Sequence, residues 1–292
     1  MKVFSAIVAA VAIASTAVAT EQSPAAPDAA AMKRAMRPIV YRVPQMDQVV
    51  VHSNLQYTNV DEPLIRMDVY TPPVSSATER HPIVLLIHGG VPAGVPVKDM
   101  GAYRSWGRLI AAHGMVAVTF THRLRWPLSQ VEDAEADVRA AIDFARANAA
   151  KFNADADRMC VAAWSAGGPL LSVALQNERK YLKCALASYP LVDLQGAEGK
   201  GMERLALASY VSSPTVVPFF LARAGRDSFP TLNERLDRFV AAALAANAPL
   251  TLVNHPTGVH GFDVENDDER SREIIRASLE FMRAHLSVAA SR

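Results

Sequence analysis

Three residues in this chain could between them move an acyl group: a serine at a glycine-rich junction, a histidine on a glycine-flanked loop, and an acid between the two in sequence. Ser165 lies in Ala163-Trp164-Ser165-Ala166-Gly167-Gly168, after an apolar run and before a helix-prone segment. A serine on a sharp strand-to-helix turn is lifted out of the sheet edge, and its neighbours two positions away must be small because strand and helix close tightly around it. Ala163 and Gly167 meet that demand. The helix that follows aims its N-terminus at Ser165, which makes the Ala166 N–H available to an oxyanion. Small-x-Ser-x-Gly is a weak pattern alone, because a Ser-capped, Gly-rich helix start looks the same.

A second element, His88-Gly89-Gly90-Val91, ends the apolar run from Pro82 to Ile87. Glycines there let a loop fold back with its N–H groups aimed at the same oxyanion, so Gly89 and Gly90 join Ala166 as candidate donors. His88 itself reads as a structural hydrogen-bonding residue, since a base must reach Ser165 while this loop carries the donors. Of the eight histidines, His260 in Thr257-Gly258-Val259-His260-Gly261-Phe262 stands apart. It follows the last apolar strand, where loops of a parallel sheet gather at the carboxyl edge. Asp227, just after the apolar run Val217 to Ala224, can reach that edge too. Asp193 follows Tyr189-Pro190 one strand after the serine, and Asp263 lies three residues from His260, where a neighbour more often braces the loop than turns back to the imidazole. Asp227 is the favoured partner of His260.

These residues need a scaffold, and the hydrophobic pattern supplies one. Val49 to Tyr57 and Ile65 to Tyr70 flank a turn-prone Asn59 to Pro63, which predicts an antiparallel hairpin. Pro82 to Ile87 is apolar at nearly every position, as a strand buried on both faces must be. Strand and helix patterns then alternate: helix Tyr103 to His113, strand Met115 to Thr121, helix Val131 to Ala150, turn Asn153 to Asp157, strand Met159 to Trp164, helix Ala166 to Gln176. Strand Cys184 to Tyr189, a helix-prone Met202 to Tyr210, strand Val217 to Ala224, helix Leu232 to Asn247, strand Pro249 to Asn254 and helix Asp267 to His285 complete the series. Such alternation predicts an α/β fold, one mostly parallel central sheet with an antiparallel N-terminal hairpin and helices on both faces. No linker divides the chain from residue 49 to 292. Cys160 and Cys184 sit in neighbouring strand patterns, where a bridge would be strained, so two buried free thiols are expected.

Taken together, His88-Gly89-Gly90, His122-Arg123-Leu124, Ser165-Ala166-Gly167-Gly168, Gly225-Arg226-Asp227 and His260-Gly261-Phe262 resemble the α/β-hydrolase esterases, with dienelactone-hydrolase-like and hormone-sensitive-lipase-like enzymes the nearest in kind. The order Ser165, Asp227, His260 is the order of that superfamily's triad. The resemblance implies a serine esterase acting through an acyl-enzyme on a small-molecule ester, with no cofactor. Ala163 replaces the usual first glycine of the elbow, Val91 the usual third glycine of the oxyanion loop, and His122 stands where many relatives have Tyr. A peptidase on the same fold and a non-catalytic hydrolase-fold binding protein are the alternatives, and an intact set of three residues speaks against the second. Val91, Trp164 and Phe262 are candidate pocket residues, with core packing the competing role for every tryptophan, Trp106 and Trp126 included. Arg123 reads as one half of a structural ion pair with a loop Asp, and residues 195–218 as a lid or a packed connection.

Composition sets the remaining bounds. Half of the 292 residues are hydrophobic, and 30 Lys and Arg face 29 Asp and Glu. Near-neutrality argues against nucleic acid or an anionic membrane as partner. No metal is expected, since no His-x-x-x-His spacing and no phosphate-cradling loop occur. Residues 1–19 read as a signal peptide: one Lys, an apolar run, then Ala17-Val18-Ala19. Residues 20–48 read as a flexible leader. The expected protein is exported, periplasmic or extracellular, without stable membrane insertion after processing; no oligomeric state is legible.

Overall fold

The structure is a computed structural model that describes residues 29–73, 79–90, 96–125, 128–176, 179–194, 202–213 and 216–287. Residues 1–19, expected to be a signal peptide, Val91, Trp126 and the first part of the 195–218 segment lie outside the described residues. The strands are β1 (Val50–Leu55), β2 (Met67–Thr71), β3 (His81–Ile87), β4 (Val116–Phe120), β5 (Ala154–Trp164), β6 (Leu182–Ser188), β7 (Phe219–Ala224) and β8 (Leu250–His255). The helices are α1 (Ala29–Ala35), α2 (Gly101–Ala112), α3 (Val131–Ala147), α4 (Leu171–Leu175), α5 (Leu232–Ala245), α6 (Phe262–Glu265) and α7 (Glu269–Leu286).

The strands form one sheet in the order β1-β2-β4-β3-β5-β6-β7-β8. β2 runs antiparallel to both β1 and β4, and every other pairing is parallel. The expected mostly parallel sheet with an antiparallel N-terminal hairpin is therefore present. Side chains alternate between two cores along each strand, as pleating requires. Ile83, Leu85 and Ile87 of β3 face the core shared with α3, α4 and α5, whereas Val84 and Leu86 face the one shared with α2 and α7. Both faces of the central strands are covered, which is why β3, β4 and β6 are almost wholly buried and read as apolar runs.

The chain leaves β3 for β4 on one side and later returns to β5 on the other. That reversal opens a crevice at the carboxyl ends of β3 and β5, where sheets of this kind bind ligands. His88-Gly89 ends one of these strands and Ser165 follows the other.

Several expectations are corrected. Of the predicted turn at Asn153 to Asp157, Asn153 is a left-handed turn residue at φ 52°, but Ala154 to Asp157 belong to β5: His81 and Pro82 pair with Ala154 and Asp155, then Ile83 pairs with Met159. The turn chemistry persists as a bulge, with Asp155 accepting from the Asp157 N–H at 2.9 Å and from Arg158 Nε at 2.7 Å. The helix after Ser165 starts as a 3-10 turn, Ser165–Leu170, before the short α4. Pro169 removes a donor and the Gly pair disfavours the α conformation. Residues 36–48 are docked instead of forming a flexible leader. Ile39, Met46 and Val49 are buried against α2, and the Ile39 N–H donates to Ser105 Oγ at 3.0 Å. Their irregular spacing, in a stretch interrupted by Pro38 and Pro44, hides this from periodicity. The helix-prone Met202 to Tyr210 is two 3-10 turns. Cys160 and Cys184 are register partners in β5 and β6, both buried and both free.

Candidate active site

Ser165 occupies the left-handed region at φ 54°, a conformation that non-glycine residues adopt at a cost. The neighbouring backbone enforces it. A Cβ on Gly167 would lie 2.3 Å from the His88 carbonyl oxygen, so only glycine lets the elbow approach the end of β3. The Leu191 N–H donates to the Ser165 carbonyl at 2.9 Å and fixes the far side.

Asp227 and His260 are brought together because the β7–β8 pairing continues past the strands. The Gly225 N–H donates to the His255 carbonyl and the Arg226 N–H to the Gly258 carbonyl, each at 2.8 Å. A Cβ on Gly225 would meet the Pro256 carbonyl oxygen at 2.5 Å, so this junction also needs glycine. Asp227 Oδ2 then lies 2.6 Å from His260 Nδ1, and His260 Nε2 lies 2.8 Å from Ser165 Oγ. The Asp227 side chain is wholly buried, and its Oδ1 accepts the Phe229 N–H at 3.0 Å. With a carboxylate accepting at Nδ1, the imidazole holds its proton there and turns the Nε2 lone pair to the serine hydroxyl. The rings of Tyr189 and Phe229 contact the imidazole at centroid distances of 4.8 and 4.5 Å.

Candidate donors for an oxyanion come from two places. Ala166 is the second residue of its 3-10 turn, so its N–H has no partner within the turn. The Gly90 N–H donates to none of the described residues. The Gly89 N–H, by contrast, donates to the Tyr103 hydroxyl at 3.0 Å. Its expected place as an oxyanion donor is thereby corrected, since that hydrogen is taken by α2. Gly89 matters for its bareness, because a Cβ there would sit 3.0 Å from Ser165 Cβ.

His88 is structural, as expected. It stacks on His122 at 3.4 Å, its Nε2 accepts the His122 N–H at 3.0 Å, and its Nδ1 lies against the Gly89 carbonyl. His122 Nδ1 accepts the Leu124 N–H while Nε2 donates to the His88 carbonyl. Both rings are thus neutral by hydrogen-bond logic. Burial lowers the pKa of His88 to about 3 and that of His122 well below the ordinary imidazole value. Arg123 pairs with Asp137 and Asp133 at 2.8 and 2.9 Å; Asp137 lies on α3, not on the expected loop.

The competing acids are occupied elsewhere. Asp193 forms an ion pair with Arg235 of α5. Asp263 is buried, accepting from Trp106 Nε1 at 2.7 Å and from the Tyr189 hydroxyl at 2.6 Å. Burial pushes its carboxyl above the ordinary range, and those two bonds oppose the rise. It braces the His260 loop against α2 and the end of β6. Trp164 and Phe262 are not pocket walls, having 3% and 1% of their surface exposed. Trp164 precedes the serine on a strand and so faces the opposite way, into the core with Trp106. Phe262 follows Gly261, whose φ of 77° turns the chain inward. Tyr103, Tyr189 and Phe229 are the site neighbours that the sequence did not single out. Among the described residues, no group of three or more His, Cys, Asp or Glu side chains is placed to hold a metal ion.

The BD-FAE family, a family of α/β-hydrolases, matches residues 67–194, which take in the His88 loop and Ser165 but end before Asp227. Esterase B of Lactobacillus rhamnosis superposes with a TM-score of 0.68 over 88% of this chain and 90% of that one, at 19% identity. Esterase 2 of Thermogutta terrifontis, phosphorylated by paraoxon, gives 0.65 over 84% and 98%, also at 19% identity. The chain carries the α/β-hydrolase fold. One curated relative, the non-reducing polyketide synthase ausA of Aspergillus calidoustus, is 33% identical over 111 residues, which are 35% of this chain and 4% of that protein. On the α/β-hydrolase fold the carboxyl edge of the sheet is the place where Ser165, Asp227 and His260 meet.

Proposed function

We propose that this chain is a serine hydrolase of carboxylic esters. The observation that carries the reading is the continuous chain of hydrogen bonds from Asp227 through His260 to Ser165, at 2.6 and 2.8 Å. Esterase structures as fold neighbours support the same reaction class. Ser165 Oγ attacks the ester carbonyl carbon as His260 Nε2 takes its proton, and Asp227 stabilises the imidazolium. The Ala166 and Gly90 N–H groups hold the oxyanion. Collapse of the tetrahedral intermediate breaks the carbon to alcohol oxygen bond, and His260 returns its proton to the departing alkoxide. Water, deprotonated by His260, then attacks the acyl-enzyme and releases the acid and Ser165. The apolar segment 1–19 supports export, after which the mature chain begins at Thr20; N-terminal sequencing of exported material checks that boundary.

A fluorophosphonate is expected to label Ser165 alone, and nitrophenyl, naphthyl, aryl and lactone esters to be turned over. Ser165→Ala is expected to lower turnover about a million-fold, as loss of a triad serine does. Labelling of another serine, or unchanged hydrolysis by the variant, would overturn the reading.

A further inference from the structure

Two large apolar side chains, one in contact with the His260 ring and one on the residue before it, stay open to solvent. Phe229 is 40% exposed and Val259 is 38% exposed. Val259 precedes His260 in the chain, and the Phe229 ring stands edge to face with the imidazole at 68° and 4.5 Å between centroids. Tyr189, the other ring against the imidazole, is buried, so Phe229 covers the imidazole on its outer side. Neither position is loose. The Phe229 N–H is pinned to Asp227 Oδ1 at 3.0 Å and the Val259 N–H to Asn266 Oδ1 at 3.0 Å. Exposed apolar groups on fixed backbone beside a reacting centre form a surface that a ligand can cover.

The direction of proton transfer decides which half of an ester meets that surface. His260 Nε2 takes the proton from Ser165 and must deliver it to the alcohol oxygen as the carbon to oxygen bond breaks. That oxygen therefore comes within hydrogen-bond reach of Nε2, and the carbon skeleton of the alcohol lies along the residues around the imidazole. The carbonyl oxygen meanwhile points to Ala166 and Gly90. We propose that Phe229 and Val259 form the leaving-group subsite, and that the preferred substrates are esters of aromatic or bulky apolar alcohols. This rests on the serine esterase reading above and adds to it the identity of the alcohol half. An aromatic ring on the alcohol would pack against Phe229 and remove both surfaces from water.

The test uses acetate esters of ethanol, cyclohexylmethanol and benzyl alcohol with the full mature chain. The acyl group is common to all three, so the same acyl-enzyme forms and only the alcohol half varies. kcat/KM is expected to rise from the ethyl ester to the two bulky esters by tenfold or more. Phe229→Ala is expected to lower the bulky esters about ten- to a hundredfold and the ethyl ester less than threefold, flattening the series. Val259→Ser is expected to flatten it in the same direction, and provides a second route if the first variant folds poorly. A ring that merely shields His260 would, when removed, slow all three esters alike; such a uniform loss, or an unflattened series in both variants, overturns the proposal. Wild-type protein that hydrolyses none of the three and is not labelled by a fluorophosphonate would instead remove the esterase reading, and the proposal with it.

Discussion

Replacing Asp227 by Asn changes one atom and should remove nearly all turnover while leaving the fold intact. The Phe229 N–H sets the outcome, because it already donates to Oδ1 at 3.0 Å and will hold the amide oxygen of Asn in that place. The NH2 group then replaces Oδ2, 2.6 Å from His260 Nδ1. A donor there forces the imidazole to present its Nδ1 lone pair and to carry its proton on Nε2. That proton faces the Ser165 hydroxyl, so the base becomes a donor. Reaching the reactive tautomer would set two N–H groups against each other in a buried site and forfeit a charge-assisted bond of about 1.5–3 kcal/mol. The carboxylate's stabilisation of the imidazolium is lost as well, and together these correspond to roughly four orders of magnitude in turnover, or about 5.4 kcal/mol. The assay is kcat on a nitrophenyl ester, with circular dichroism and thermal melting to confirm folding. Asp193→Asn and Asp263→Asn, whose carboxylates serve Arg235 and the Trp106–Tyr189 pair, are expected to cost far less. Turnover by Asp227→Asn within tenfold of wild type, with collapse in either of the other two, would refute the assignment of the acid.

Gly167→Ala is expected to destabilise the fold by about 1–3 kcal/mol or more and to abolish labelling of Ser165, since its Cβ would press on the His88 carbonyl at 2.3 Å, backbone that cannot swing aside; urea unfolding and fluorophosphonate labelling measure both. Acid should weaken the protein through His88 and His122. Their folded pKa values are depressed while the unfolded values are near 6.5, so the stability they lend is complete above about pH 6.5 and is lost as pH falls toward the folded pKa, about 3 for His88. Unfolding at pH 5 should take up about two protons from this pair, with up to about 1.4 kcal/mol lost per pH unit for each ring; unfolding free energies equal at pH 7 and pH 5 would refute the neutral stacked pair. Tyr103→Phe frees the Gly89 N–H of its partner and is expected to lower kcat more than it raises KM, because the strand end that carries Gly90 loses its tether to α2.

Much of this arrangement was legible because the physics is local. Runs such as Ile83 to Ile87 are apolar throughout when a strand is covered on both faces, and loops after parallel strands converge on one edge whatever their length. Ser165 and Asp227 each follow such a run, and His260 follows the edge strand beside the second, so their meeting needed only the topology. What escaped depends on direction and not on position. Trp164 and Phe262 adjoin the reacting residues in sequence, yet strand pleating turns one into the core and a left-handed glycine turns the other inward. Phe229 lies two residues from Asp227 in a loop without period, where its N–H bonds the Asp227 carboxylate and its ring meets His260. The docked segment 36–48 is hidden for a related reason, since Ile39 and Met46 fill separate sites on α2 and need share no face.

The donor set shows the same distinction at the scale of one hydrogen atom. His88-Gly89-Gly90 offers consecutive amides, and sequence alone makes them equivalent. The Gly89 N–H is directed to Tyr103, whereas the Gly90 N–H donates to none of the described residues. A single tyrosine on α2 therefore sorts the two glycine amides, one bonded into the scaffold and one with no partner among the described residues. Gly89 is also closely packed there, because a Cβ would lie 3.0 Å from Ser165 Cβ and 3.3 Å from the Trp164 carbonyl oxygen, so the elbow would have to give way to a side chain.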